Sequence, residues 1–126
     1  GAFRNGASIH VSSVAAMEDA QVGYTFDNPA RYAGDPIAQG LFELSRRAWR
    51  TRGVGDFWQH MLVAEGAFDV SVDPIVSVWD VAALVPIVHE AGGRWSTLDG
   101  RVEAAGGSLV CTNGRLHDEV LEALKS

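Results

Sequence analysis

Short runs of β-forming residues alternate along this chain with amphipathic segments about three helical turns long, and no other feature restricts its fold as strongly. Strands are predicted at 8–13, 20–26 and 69–72, and within 94–100 and 107–113. A further short strand is predicted directly before the glycine turn at 53–55. Residues 15–20 indicate a helical turn. Because parallel strands need a crossover connection, usually a helix, this order predicts an α/β fold: a layered α-β-α domain with a mixed, mainly parallel sheet.

The first and last helices are amphipathic. The first is predicted over 34–50, with Asp35 at the N-cap and Pro36 at the first helical position, and the last is predicted over 115–125. The residues expected to face inward are Ile37, Leu41, Leu44 and Ala48 in the first helix, and Leu116, Val120, Leu121 and Leu124 in the last.

The two middle helices begin at acidic residues. One is predicted from Asp56 to about Glu65, and the other begins at Asp80 and ends at the glycine pair 92–93. Pro86 lies inside the second pattern, so we expect either a kink or a displaced first turn.

The composition describes one ordered domain. With 126 residues, 47% of them hydrophobic, the chain can bury a core of its own. A formal net charge of −6 argues against nucleic acid or an anionic membrane as the main partner. There is no apolar run of membrane-spanning length and no signal-peptide pattern, so we expect a cytoplasmic protein. Cys111 lies in an apolar run and is predicted to be buried and reduced.

Three aspartates stand at the ends of predicted elements. Asp80 begins a helix after a strand, Asp73 ends that strand before Pro74, and Asp56 follows the glycines of 52–58. Residue type alone favours a helix cap at Asp80 and an Asx turn at Asp73, and a plain strand-to-helix turn explains 52–58 equally well. A functional interpretation is compatible with these, because α/β domains bind ligands in the crevice beyond their strand ends. If Asp80 binds Mg²⁺, it needs further ligands.

Several familiar site patterns are excluded. Residues 52–58 lack the third glycine of a dinucleotide fingerprint and the Lys-Ser/Thr of a P-loop. No second histidine follows His89 at the metalloprotease spacing, and Ser12 and Ser13 lack the G-x-S-x-G context of a nucleophile. We interpret all the histidines as structural or solvated: His10, His60, His89 and His117.

Longer motifs carry more information than these patterns. WDVAALVPIVHEAGG at 79–93 resembles the second signature of the inositol monophosphatase family. GAFRNG at 1–6 and IHVS at 9–12 are similar to the stretch that opens the second half of those enzymes. Within the family, residues 52–80 most resemble the histidinol-phosphatase branch, through R-G-x-G-D and V-D-P before W-D. The resemblance covers essentially all 126 residues.

The resemblance implies a Mg²⁺-dependent phosphomonoesterase in which metal ions support in-line attack of water on phosphorus. Asp80 matches the metal-ligating aspartate, and Asp73 matches the acid that orients the substrate alcohol. Gly55, Asp56 and Phe57 occupy the substrate-facing turn. Histidinol phosphate is the favoured substrate, with Asp56 and Asp73 meeting its amino group and imidazole. No further catalytic residue is expected within the chain.

The chain departs from the family pattern at the other metal ligands. The family's upstream glutamate pair is not found, and residues 35–40 and 73–78 share only Asp-Pro-Ile with the D-P-I-D-G-T/S motif. We therefore expect residues 1–126 to be the C-terminal half of a two-half phosphatase, with the N-terminal half absent and the fragment inactive alone. By resemblance, the full-length enzyme is expected to be a homodimer.

Two alternatives remain open. Within the family, the substrate could instead be inositol phosphate or another small sugar or nucleotide phosphate. The second alternative belongs to a different class of function: a binding or interaction module that kept the α/β layers and lost catalysis.

Overall fold

The computed structural model describes residues 1–25 and 34–125. Within these ranges a 3₁₀ turn, Met17–Asp19, precedes the third strand. The elements in chain order are β1 (Ala2–Arg4), β2 (Ala7–Ile9), β3 (Gln21–Tyr24), α1 (Ile37–Arg47), β4 (Arg50–Arg52), α2 (Asp56–Ala64), β5 (Val70–Asp73), α3 (Val78–Glu90), β6 (Arg94–Ser96), β7 (Leu109–Thr112) and α4 (His117–Leu124). The predicted strand at 20–26 is confirmed over β3, and its last residue lies outside the described residues.

Five strands form the central sheet in the order β4-β3-β5-β7-β6. β3 is parallel to both of its neighbours, β4 and β5. The pairs β5–β7 and β6–β7 are antiparallel. The sheet is therefore mixed, and its parallel part comprises β4, β3 and β5, which are joined through α1 and α2.

Two apolar cores, one on each face of the sheet, produce the α-β-α layers. Leu44 of α1 and Leu124 of α4 belong to one core, whereas Val63 of α2 and Leu84 of α3 belong to the other. Side chains alternate across a strand, so β5 sends Val70 and Val72 towards α1 and α4, and Ser71 and Asp73 towards α2 and α3. α1 and α4 approach closely at Gly40, where there is no room for a side chain: a Cβ added to Gly40 would lie 2.2 Å from the backbone oxygen of Leu124.

A separate two-stranded hairpin, β1–β2, opens the chain. Its turn is Asn5-Gly6, with φ angles of 51° and 82°, a dipeptide that suits tight hairpins because both positions tolerate positive φ. The predicted strand over 8–13 was wrong beyond Ile9. There the backbone leaves the hairpin and Val11 N–H donates to the oxygen of Ala91, after α3.

Two predicted helix starts were displaced. α1 begins at Ile37 with Pro36 as its N-cap, although Asp35 still accepts a hydrogen bond from the Ile37 N–H at 2.9 Å. α3 begins at Val78, so Ser77 is the N-cap and Asp80 is the third helical residue, where the two form a capping box. α3 continues through Pro86 to Glu90. Among the described residues no helix has the length and apolar character that a bilayer span requires.

Candidate functional site

A cleft of about 670 Å³ opens where β3 and β5 end. Thr25 follows β3, Asp73 ends β5, Asp56 begins α2, Asp80 lies in the first turn of α3, and all four line the cleft. The chain leaves β3 through α1 to a strand on one side and returns through α2 to a strand on the other. Such a reversal leaves a crevice at the carboxyl ends of parallel strands, where α/β proteins bind ligands.

Asp80 is exposed and is held by the N-terminus of α3. Its Oδ2 accepts a hydrogen bond from Ser77 Oγ at 2.8 Å and a longer one from Ser77 N at 3.4 Å. The positive end of the helix dipole also favours a negative charge in this turn. Among the contacts of the described residues, Oδ1 of Asp80 takes part in no hydrogen bond. Asp80 thus combines a capping role with a place in the lining of the cleft.

The turn before α2 has an unusual backbone. Gly55 and Asp56 have φ angles of 77° and 52°, and positive φ at a residue other than glycine is uncommon outside tight turns and functional sites. The buried side chain of Gln59 supports this turn, because its Oε1 accepts a hydrogen bond from Gly55 N at 3.2 Å. Its Nε2 donates to Thr25 Oγ1 and to the backbone oxygen of Val72, both at 3.1 Å. The turn is thereby fixed to the ends of β3 and β5.

Asp73 is buried at the end of β5 and contributes to the cleft. Its Oδ1 accepts a hydrogen bond from the Ile75 N–H at 3.3 Å, so the predicted Asx-type turn is present.

Apolar side chains form the rim of the cleft. Phe57 is 63% exposed and Trp79 is 78% exposed, and both line it together with Ile75 and Ile87. A cleft lined by both acidic and aromatic side chains suits a small ligand that carries both charge and a ring.

His60, which the sequence led us to interpret as structural or solvated, lies in the wall of the cleft. Its side chain is 1% exposed yet belongs to the cleft wall, and its Nδ1 lies 2.6 Å from Ser71 Oγ. Burial lowers the pKa of His60 from 6.5 to about 4, so the ring is neutral at pH 7. The available signal was its spacing from Val63 and Ala64, which places it on the buried face of α2. Gln59 and Thr25 were also missed, although Thr25 stands at the end of a predicted strand.

The structure brings four of the predicted site residues to this cleft: Asp56, Phe57, Asp73 and Asp80. Gly55 adjoins it as the residue before α2. Within residues 1–25 and 34–125 no three or more His, Cys, Asp or Glu side chains lie close enough together to hold one ion.

Comparison with known proteins identifies the family. The model of the inositol monophosphatase family matches residues 1–126, and the chain belongs to that family. Histidinol-phosphatases of Mycobacterium tuberculosis and Streptomyces coelicolor are 46% and 44% identical to it, over 94% and 90% of this chain. The inositol monophosphatase of Anabaena has a similar fold, with a TM-score of 0.87 and 28% identity over 97% of this chain.

The chain spans about half the length of the proteins it matches. The alignments cover 45% and 42% of the two histidinol-phosphatases and 49% of the Anabaena chain. The matched part is the C-terminal half of the relatives. These findings confirm the predicted family and the predicted layered α/β fold.

Proposed function

We propose that this chain forms one wall of the active site of a Mg²⁺-dependent phosphomonoesterase, with histidinol phosphate as the favoured substrate. One observation carries the proposal: Asp56, Asp73 and Asp80 come from three separate segments and line a single cleft at the carboxyl edge of the parallel strands. Relatives named histidinol-phosphatase support the phosphatase class and the choice of substrate.

The oxygen donors of the cleft suit a hard divalent cation. Mg²⁺ is usually held by one or two carboxylates together with substrate phosphate and water. Asp80 is exposed, and the capping box orients its carboxylate through only one of its two oxygens among the described contacts. Bound there, Mg²⁺ would neutralise charge on the phosphoryl oxygens. We therefore propose Asp80 as a metal ligand, and the supply of further ligands by a preceding half of the enzyme stays a prediction.

The remaining residues of the cleft suit a cationic, ring-bearing alcohol phosphate. Carboxylates such as Asp56 and Asp73 form strong hydrogen bonds with an ammonium or imidazolium group. We propose that Asp73 also orients the substrate alcohol, and that the face of Phe57 or Trp79 contacts the imidazole. Gly55 lets the backbone turn with positive φ beside the ligand.

Replacement of Asp80 tests the metal-binding role. Residues 1–126 are combined with the N-terminal half of the M. tuberculosis histidinol-phosphatase, and phosphate release from histidinol phosphate is measured with Mg²⁺. We expect no appreciable activity from residues 1–126 alone and recovery in the combination. Since metal ions supply several kcal/mol of stabilisation, Asp80→Asn should lower kcat/KM by about 100-fold or more.

Asp118→Asn is the matched control, because Asp118 is an exposed acid in the first turn of α4. This variant should keep the recovered activity. Full activity of residues 1–126 alone would refute the need for a second half, and full activity of Asp80→Asn would refute its role as a ligand.

Turnover of two substrates tests the choice of histidinol phosphate. We expect a higher kcat/KM for histidinol phosphate than for inositol phosphate, and Asp56→Ala should reduce this preference because it removes a partner of the cationic group. A preference for inositol phosphate would support the alternative substrate. A homodimeric state and a cytoplasmic location stay predictions from the sequence.

A further inference from the structure

His60 is a buried polar side chain of the cleft that the proposed phosphatase chemistry does not use. Its Nε2 has no hydrogen-bond partner among the described residues, although the side chain is only 1% exposed. Most buried polar atoms in native proteins are paired, and an exception costs free energy unless something else supplies the partner.

His117, the other buried histidine of the described residues, shows the usual arrangement. Its Nε2 lies 2.7 Å from Ser96 Oγ and its Nδ1 lies 3.0 Å from Thr112 Oγ1. Both of its ring nitrogens are therefore satisfied inside the protein. The contrast shows that the fold can pair a buried imidazole fully, and that at His60 it does not.

The contacts of His60 determine where its unpaired nitrogen faces. Nδ1 engages Ser71 on β5 at 2.6 Å, so the geometry of the ring directs Nε2 away from that strand. The same ring forms part of the cleft wall beside Asp56 and Asp73. Nε2 itself has almost no accessible surface, so a ligand reaches it only when a neighbouring side chain of the cleft moves.

In the tautomer with the proton on Nδ1, His60 donates to the Ser71 oxygen and Nε2 is left as a bare acceptor. Nitrogen NMR measures directly which of the two nitrogens carries the proton.

We infer that His60 Nε2 is a ligand-binding acceptor in the cleft and that it receives an N–H of a small cationic ligand. A cation is the expected class because three aspartates line the same cleft: Asp56, Asp73 and Asp80. This inference rests on the proposed function in taking the cleft as the substrate site, and it assigns to His60 the recognition of an N–H donor on that substrate.

Nitrogen NMR of the full chain labelled at histidine tests the inference directly, with L-histidinol as the probe. Histidinol carries the cationic groups without a phosphate, so no turnover occurs. We expect His60 Nε2 to be unprotonated in the free protein and to shift when histidinol is added, whereas the nitrogens of His117 should not move. myo-Inositol, a neutral polyol, should leave both histidines unchanged.

Two substitutions provide an independent measurement. His60→Asn retains an amide near the position of Nδ1, and so a partner for Ser71, but has no group at the position of Nε2; His60→Gln reaches that second position. Loss of one hydrogen bond to a charged ligand should weaken histidinol binding about tenfold in His60→Asn, and less in His60→Gln. Thermal unfolding of each variant establishes that the chain is folded when binding is measured.

A protonated Nε2 in the free protein, or an unshifted His60 at saturating histidinol, would overturn the inference. So would an equal shift with myo-inositol. The Asp80→Asn variant separates this test from that of the proposed function, since it should lose phosphate release and keep the histidinol-induced shift of His60. If the unsubstituted enzyme releases no phosphate while histidinol still shifts the His60 signal, the result counts against the phosphatase proposal alone.

Discussion

Asp69, the residue before β5, is 5% exposed, and its carboxylate links three parts of the chain. Ser12 Oγ donates to its Oδ1, and the Gln21 N–H donates to its Oδ2 at 2.7 Å. Asn113, after β7, donates from its side chain to Ser12 Oγ at 3.0 Å. Single buried polar side chains therefore position the segment after the hairpin against the sheet, and each leaves an unsatisfied partner if it is removed.

The buried histidines make the folded state sensitive to acid. Burial lowers the pKa of His60 and of His117 to about 4, and at His117 the positive charge of Arg94 contributes. The unfolded chain therefore binds more protons than the folded one between about pH 6.5 and pH 4. Above this window each neutral, buried histidine makes its full contribution to the free energy of unfolding. As the pH falls through the window, that free energy decreases by up to about 3 kcal/mol for each histidine.

Urea unfolding between about pH 7 and pH 4.5 measures this loss. His60→Gln and His117→Gln should each flatten the dependence of the unfolding free energy on pH, and the double variant should flatten it most. A slope that is the same in all variants would show that these imidazoles do not cause it.

Helix starts are the elements that position the acidic residues of the cleft. α2 begins at Asp56 after a left-handed turn, and α3 carries Asp80 in its capping box with Ser77. Both helices start at the carboxyl edge of the sheet because each follows one of the parallel strands, β4 or β5. The connectivity of the elements thus determines that their N-termini, which favour anions and anionic side chains, meet at one cleft.

The capping role of Asp80 is separable from the proposed metal binding. Without metal, Ser77→Ala should lower the unfolding free energy by about 1 kcal/mol, because it removes the N-cap side chain. Asp80→Asn should cost about 1 kcal/mol or less, since Asn also forms hydrogen bonds near helix starts. Urea unfolding checks both values. A loss of several kcal/mol in Asp80→Asn would mean that its lost activity reflects unfolding.

On the scale of the whole molecule, the α2–α3 layer exposes a large apolar surface. Phe57, Trp58 and Trp79 are 63%, 60% and 78% exposed. A second groove of about 400 Å³, lined by Phe3 and Trp58, adjoins the cleft and shares Met61 and Ile87 with it. Contiguous apolar surfaces of this kind promote association in water.

We therefore expect residues 1–126 to associate with increasing concentration in sedimentation velocity experiments. Trp58→Gln should weaken this association, because it removes a large exposed ring from this surface. Trp49→Gln is the matched control: Trp49 is 58% exposed, lies after α1, and is covered on one face by the Arg50 guanidinium at 4.6 Å. A monomer at every concentration tested would contradict the prediction.

Much of the element order was predictable because its signals are local. The inward faces of α1 and α4 follow helical spacing, and Leu41, Leu44, Val120 and Leu124 are all buried as predicted. The Asn5-Gly6 hairpin also has a local signal, because Asn-Gly favours a tight turn with positive φ at both positions. The displaced start of α3 arose from competition between neighbouring caps, since Ser77 and Asp80 both suit a helix start and only one can be the first.

By itself the sequence determined the helices, most strands, and the acidic residues beside helix starts, because periodicity and capping act over a few neighbouring residues. Only the tertiary structure decided that β7 pairs with both β5 and β6, that Asp69 joins Ser12 to Gln21, and that His60 lies in the same cleft wall as Asp73. These features join residues far apart in the chain or depend on which face of the sheet is covered. Their free energy comes from packing and desolvation, which no local pattern records.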